Sequence, residues 1–320
     1  MVRRINVTGA GGIRLAAWEF ADPPKGSVDG AAGAAGASGA EAPAGSVVRP
    51  GGEPSRPAGT QGRRPPGVLL LHGLMGRASH WAETARWLSG RYRSVAVDQR
   101  GHGRSDKPGD GPYDREAYVE DAEAALEQLD LPPAAVIGHS MGALTAWQLA
   151  AKRPDLVQAL VISDMRASAL GDQSQREWEE WFKSWPVPFA TLGDVRRWFG
   201  EEDPILERTN PSRGEFFAEV MAERADGWRP AFSPRQMLKA RETWVYDAHW
   251  DELAQVQCPT LVVRGIDGEL GRAEAQEMVR VLPRGIYAEV QDAGHLVHYD
   301  QPEGWRRVVE PFLQHALPSG

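Results

Sequence analysis

Between Val136 and Ala143 the chain reads Val-Ile-Gly-His-Ser-Met-Gly-Ala, and this stretch constrains the fold more than any other. The apolar run Ala134, Ala135, Val136, Ile137 has the composition of a buried strand, and Ala143 to Ala151 that of a helix. Ser140 therefore stands at the apex of a strand-turn-helix, with Gly138 and Gly142 two residues to either side. So sharp a turn strains the backbone at the serine and brings positions −2 and +2 too close together for side chains; glycine relieves the collision. The Ser140 hydroxyl then projects from the sheet edge, and the Met141 amide points to where an oxyanion would form.

On either side of this elbow, strands and helices alternate. Ile5 to Phe20 reads as a hairpin, Gly67 to Leu71 and Ser94 to Asp98 as buried strands, and Arg115 to Leu129 as an amphipathic helix. A strand follows at Ala159 to Ile162, and the pattern returns later with strands at Thr260 to Arg264 and Ile286 to Val290 and a last helix from Pro302 to His315. The alternation predicts an α/β fold, a mostly parallel central sheet with helices on both faces. Two segments interrupt it. Residues 23 to 66 are mostly Gly, Ala, Pro and Ser with almost no large apolar side chain, the composition of a disordered insertion that cannot offset its ordering entropy. Residues 166 to 251 hold Trp178, Trp181, Trp185, Trp198, Trp228, Trp244 and Trp250, with helical stretches broken by Pro186, Pro188, Pro204, Pro211, Pro230 and Pro234. They read as a helical cap inserted into a core formed by 1–165 and 252–320.

An apolar share of 42% in 320 residues is enough for a large core. The net charge of −8, from 44 acidic and 36 basic residues, offers no electrostatic footprint for nucleic acid or an anionic membrane. No apolar run reaches membrane-spanning length, and no apolar segment follows Arg3 and Arg4 as a signal peptide would require. The single cysteine, Cys258, precludes an internal disulfide and a cysteine metal cluster, and its place before Pro259 suits a packing residue. The expectation is a soluble, cytoplasmic protein whose partner is a small-molecule substrate, with no nucleic acid, no membrane and no metal or organic cofactor.

A serine hydroxyl is a poor nucleophile at neutral pH and needs a base within reach, itself oriented by a third group. His295, in Asp292-Ala293-Gly294-His295 directly after the last strand, is the base candidate. Of the other histidines, His72 and His102 belong to loop motifs at the same edge and His139 neighbours the serine. His249 and His298 have no evident partner, and His80 and His315 read as superficial. The acid should follow the strand ending at Arg264, where Asp267 and Glu269 are both eligible and spacing does not separate them. Asp164, at the end of the preceding strand, is a third candidate; Asp267 is taken first. Leu74, after His72-Gly73, should supply the second oxyanion amide beside Met141.

Four motifs, His72-Gly73-Leu74-Met75-Gly76, Asp98-Gln99-Arg100-Gly101-His102-Gly103-Arg104-Ser105, Gly138-His139-Ser140-Met141-Gly142 and Gly294-His295, occur in an order that resembles the α/β-hydrolase fold. The resemblance covers everything outside 23–66. It implies a capped hydrolase with Ser140 as nucleophile, His295 as base, and Leu74 and Met141 as oxyanion donors. Many relatives place the acid three residues after the glycine that ends its strand, which here is Gly268, a departure that leaves the acid open. Aspartate-nucleophile members such as epoxide hydrolases are disfavoured by Ser140. The expected activity is hydrolysis of an ester-like bond in a small apolar or aromatic substrate through an acyl-enzyme. C–C bond, lactone and thioester hydrolysis on the same triad, or non-catalytic ligand binding, are the alternatives.

Overall fold

The computed structural model describes residues 2–20, 65–131 and 133–317, so all but the last two residues of the expected disordered insertion lie outside the described residues. The chain enters as a hairpin, β1 (Val2–Thr8) and β2 (Arg14–Phe20), then forms β3 (Gly67–Leu71), α1 (Ala82–Leu88), β4 (Arg93–Asp98) and α2 (Arg115–Gln128). The elbow joins β5 (Ala134–His139) to α3 (Met141–Lys152), and β6 (Val157–Ser163) follows. The chain then leaves the sheet for α4 (Gly171–Ser184), α5 (Leu192–Arg197), α6 (Pro211–Glu219), a small hairpin of β7 (Met221–Arg224) and β8 (Gly227–Pro230), α7 (Pro234–Val245) and α8 (Trp250–Ala254). It returns as β9 (Thr260–Gly265), α9 (Arg272–Val281), β10 (Gly285–Val290), α10 (Val297–Asp300) and α11 (Pro302–Ala316).

The eight-stranded sheet has the order β1-β2-β4-β3-β5-β6-β9-β10. β1, β2 and β4 pair antiparallel, and every neighbour from β4 onward is parallel. Because successive strand side chains point to opposite faces, the strands feed two cores. Leu69, Leu71, Val136 and Ile162 pack with α2 and α3 on one side, while Val68, Leu70, Ile137 and Val161 pack with α1 and α11 on the other. Trp147 on α3 and Trp305 on α11 are fully buried, one in each layer. The parallel register carries the C-terminal ends of β3, β5, β6 and β9 to one edge, since Leu71 pairs with Gly138, and Ser163 with both His139 and Val263. No described helix is long and apolar enough to cross a membrane.

The excursion between β6 and β9 departs in two ways from an all-helical reading. It contains the hairpin β7–β8, which turns at Ala225-Asp226 with Gly227 at φ 127°, a backbone conformation that favours glycine. Pro211 and Pro234 start helices rather than break them. Each occupies the first turn of α6 or α7, where its missing N–H costs nothing, behind an Asn210 or Ser233 side chain that caps the helix.

Candidate active site

Ser140 has φ 50° and ψ −124°, outside the regions open to most side chains, between the last residue of β5 and the first of α3. The flanking glycines are sterically required: a Cβ on Gly138 would lie 2.3 Å from the Gly142 carbonyl oxygen, and one on Gly142 the same distance from that of Leu71. The Ser140 N–H donates to the Ser163 carbonyl at 2.9 Å, tying the elbow to β6. Ser140 and His295 both line a cavity of about 350 Å³ between the sheet edge and the excursion.

His295 is held from two sides. Its carbonyl accepts a 2.8 Å hydrogen bond from His139 Nε2, and its Nδ1 lies 2.8 Å from Asp164 Oδ2. With Nδ1–H committed to that carboxylate, Nε2 is the atom left to exchange a proton. Asp164 is 1% exposed and also accepts from the N–H groups of Glu269 at 2.8 Å and Gly265 at 3.3 Å. Burial opposes a charge on the His295 ring, but the carboxylates of Glu269, Asp164 and Asp300 outweigh it and lift its pKa to about 9.

Of the three acid candidates, the structure brings Asp164 to His295 and not Asp267. The Asp267 side chain is 44% exposed and forms an ion pair with Arg208. The reason is visible at Gly268, where a Cβ would stand 2.5 Å from Asp164 Oδ1. The space that a side chain at 268 would need is filled by a carboxylate from the adjacent strand. β6 and β9 run parallel as neighbours, so either strand end can deliver an acid to one place; glycine at 268 with aspartate at 164 was the available signal. Glu269 stands further off, its Oε2 3.9 Å from His295 Nδ1.

The two amides expected at an oxyanion, those of Leu74 and Met141, are both free of acceptors among the described residues. Met141 is the first residue of α3, so its N–H has no intrahelical acceptor. The Leu74 N–H has no hydrogen-bond acceptor among the described residues, while the next amide, Met75 N–H, donates to His102 Nε2 at 3.0 Å. His102 Nδ1 is 2.8 Å from the Arg100 carbonyl, and His72 holds the same loop by accepting from Gln99 N–H at 3.0 Å through Nε2. Burial keeps both rings neutral, with the pKa of His72 lowered to about 4. Asp98 completes this scaffold by accepting from Ala78 N–H at 2.7 Å and Arg104 N–H at 2.9 Å.

This arrangement sits on a recognisable chain. Residues 68–308 match the alpha/beta hydrolase family. The chain belongs to the α/β-hydrolase family. The sn-1-specific diacylglycerol lipase ABHD11 of Mus musculus is 41% identical to this hydrolase over 267 residues, which cover 78% of this chain and 81% of the relative. Epoxide hydrolase 1 of Caenorhabditis elegans is 26% identical over 261 residues, 78% of this chain but 65% of the relative. Among solved structures, E-2-(acetamidomethylene)succinate hydrolase superposes with a TM-score of 0.75 at 22% identity, covering 98% of this hydrolase and 99% of that chain, a likeness of fold.

Several histidines of this α/β hydrolase sit differently from the sequence reading. His80 is buried and stacks on Phe216 at 3.8 Å, so it is not superficial. His298 has no hydrogen-bond partner among the described residues, as the sequence reading expected, but it is buried against Trp81, ring centroids 3.9 Å apart, and burial lowers its pKa to about 3. His249 has partners in Gln148, Glu252 and the Thr243 carbonyl. Trp178, Trp181 and Trp244 line the cavity, whereas Trp185, Trp198, Trp228 and Trp250 do not. Burial raises the Cys258 thiol to about 11, which keeps it protonated and inert.

Proposed function

We propose that this hydrolase cleaves ester-like bonds by acyl transfer through Ser140, with His295 as base, Asp164 as the orienting acid and residues 166–251 as a cap over the site. The observation that carries this reading is the 2.8 Å contact of His295 Nδ1 with buried Asp164, in a cavity that also receives Ser140 from its strained turn. His295 Nε2 takes the Ser140 proton as Oγ attacks the carbonyl carbon. The oxyanion accepts hydrogen bonds from the Leu74 and Met141 N–H groups. Collapse breaks the bond to the leaving alkoxide, which His295 protonates; water then repeats the sequence and releases the acid and the free serine. A hydroxyl at the elbow favours this route over epoxide opening, which calls for a carboxylate nucleophile. The chemistry requires no cofactor. The tryptophans on the cavity wall suit an apolar or aromatic portion of the substrate.

Fluorophosphonate labelling followed by peptide mapping tests the nucleophile directly. A single adduct on Ser140 is expected, and Ser140→Ala should lower kcat on a p-nitrophenyl ester by about a millionfold while the fold survives. An adduct on another serine, or turnover that persists in the variant, overturns the assignment. A panel of p-nitrophenyl esters, lactones, thioesters and ring-cleavage dienones separates ester from lactone, thioester and C–C bond hydrolysis on the same residues.

A further inference from the structure

Three arginines stand on the cavity wall, and two of them are neutralised. Arg166 Nε donates to Glu274 at 2.9 Å, and Arg213 Nη2 donates to Asp203 at 2.5 Å. Arg241, on α7, is 3% exposed and has no carboxylate in an ion pair with it among the described residues. Its Nη1 donates to Gln175 Oε1 at 2.8 Å and its Nη2 to Ser174 Oγ at 2.5 Å, both neutral acceptors. Its guanidinium carbon lies 4.7 Å from the centre of the Trp178 ring. A guanidinium carries five N–H donors, so those two bonds leave three without an acceptor among the described residues.

A buried cation without a counter-ion is strongly unfavourable, and a fold with no use for it would do better with a neutral side chain of similar volume. Burial lowers the Arg241 pKa to about 10, which still leaves it protonated at neutral pH. The other charged groups of the wall do not supply the missing partner. Asp164 is engaged by His295, and Asp300 accepts from the Gly294 N–H at 2.9 Å and from Asn210. Glu269 and Glu177 act on Arg241 from beyond ion-pair distance; Glu269 is 59% exposed, where water screens it, and Glu177 accepts from Gln173 at 3.0 Å. The guanidinium is thus fixed in place by a ring face and two neutral acceptors, with unspent donors in a cavity shared with Ser140.

We propose that Arg241 binds a carboxylate carried by the substrate, so that the ester-like bond cleaved at Ser140 belongs to a carboxylate-bearing molecule. This rests on the acyl-transfer reading above. The planar fork of a guanidinium matches a carboxylate in two parallel hydrogen bonds, and Trp178, Trp181 and Trp244 on the wall of the same cavity suit the hydrocarbon that would join that carboxylate to the scissile carbonyl.

The test compares two matched substrate pairs that place the carboxylate on either side of the bond. Mono-p-nitrophenyl adipate against p-nitrophenyl hexanoate puts it on the acyl side, and 4-acetoxybenzoate against phenyl acetate on the alcohol side. In at least one pair the wild-type enzyme should favour the charged member by about tenfold or more in kcat/KM. Arg241→Gln should reduce that ratio by about 10- to 100-fold, chiefly through KM, and Arg241→Lys should recover part of it. A wild-type preference for the neutral member in both pairs, or an equal loss on both members in Arg241→Gln, overturns the proposal. Should the variants not fold, competitive inhibition of the wild-type enzyme by adipate but not by hexane-1,6-diol supports it, and equal inhibition by the two overturns it. Ser140 that still takes the fluorophosphonate while the preference is absent sinks the carboxylate alone. Wild-type enzyme that neither labels nor hydrolyses any of the four esters sinks the acyl-transfer reading and the carboxylate with it.

Discussion

His295 sits between opposed electrostatic influences, burial against a charge and three carboxylates in favour of it. Its pKa of about 9 means that the resting enzyme at neutral pH holds an imidazolium, which cannot accept the Ser140 proton. Rates should therefore rise with pH, with kcat/KM climbing about tenfold per unit until it levels near the His295 pKa. Replacing Glu269 with Gln removes one of the carboxylates that favour the charged ring, so the acid limb of that profile should move to lower pH; an unmoved limb would remove Glu269 from the field felt by the base. The same shift has a sign for stability. The folded pKa lies above the 6.5 of a free imidazole, so the pairing stabilises the fold fully below about pH 6.5, and the contribution is lost as pH rises through about 9. For the acid, Asp164→Asn should lower kcat by about ten-thousandfold. Asp267→Asn, which breaks only an exposed pair with Arg208, should change kcat by less than about threefold. Equal effects in the two variants would return the role to the loop after β9. That Ser140 and His295 would meet at one sheet edge was legible in the chain because a strained turn and a post-strand loop leave local signatures. Which carboxylate would stand beside His295 was not legible, because two adjacent parallel strands end at one point and only the missing Cβ of Gly268 separates Asp164 from Asp267.

At the scale of elements, most strands and helices of the sheet layer were readable from apolar runs and their spacing, since burial on two faces leaves continuous Val, Leu, Ile and Ala runs. The excursion was harder to read. Its hairpin β7–β8 is four residues a side and half-exposed, too short for alternation to show, although Asp226-Gly227 is a turn signal. Pro211 and Pro234 misled because a proline at the first turn of a helix looks, in sequence, like one that ends it. The elbow itself is an element with a testable tolerance. Gly142→Ala would drive a methyl group into the backbone of β3 and should lower stability by more than about 3 kcal/mol, read as a fall in urea midpoint or as loss of soluble protein. Glu219 joins excursion to core from the end of α6, accepting from Tyr299 at 2.8 Å and from Ser79, while its carbonyl takes Arg77 Nη1 at 2.7 Å. Glu219→Ala should speed amide exchange across α6 by about tenfold, the size expected for losing hydrogen bonds to one carboxylate. Unchanged protection would show that apolar packing alone holds the excursion down.

Across the whole molecule, distant parts of the sequence meet at a buried ion pair. Arg100, fully buried in the loop after β4, binds Asp121 of α2 through Nε at 2.7 Å and Nη2 at 2.8 Å. Asp121 also accepts from Ala10 N–H in the turn between β1 and β2, and Arg100 Nη1 donates to the Pro112 carbonyl. One pair thus fastens the hairpin, a loop and a helix to each other. Removing either partner leaves a charge stranded in the interior, so Asp121→Ala should cost about 3–5 kcal/mol in chemical denaturation. Such a clasp was invisible in the sequence, where its members stand far apart among many other charges.

The cavity wall is drawn mostly from one uninterrupted run of chain, Met165 to Trp244, while Ser140, Asp164 and His295 stand on ends of the sheet or the loops just beyond them. Appetite and machinery are therefore written in separate passages. On the proposed acyl-transfer reading, grafting that run from a cousin should alter what the enzyme consumes in a single genetic event, with Ser140, Asp164 and His295 left where they were.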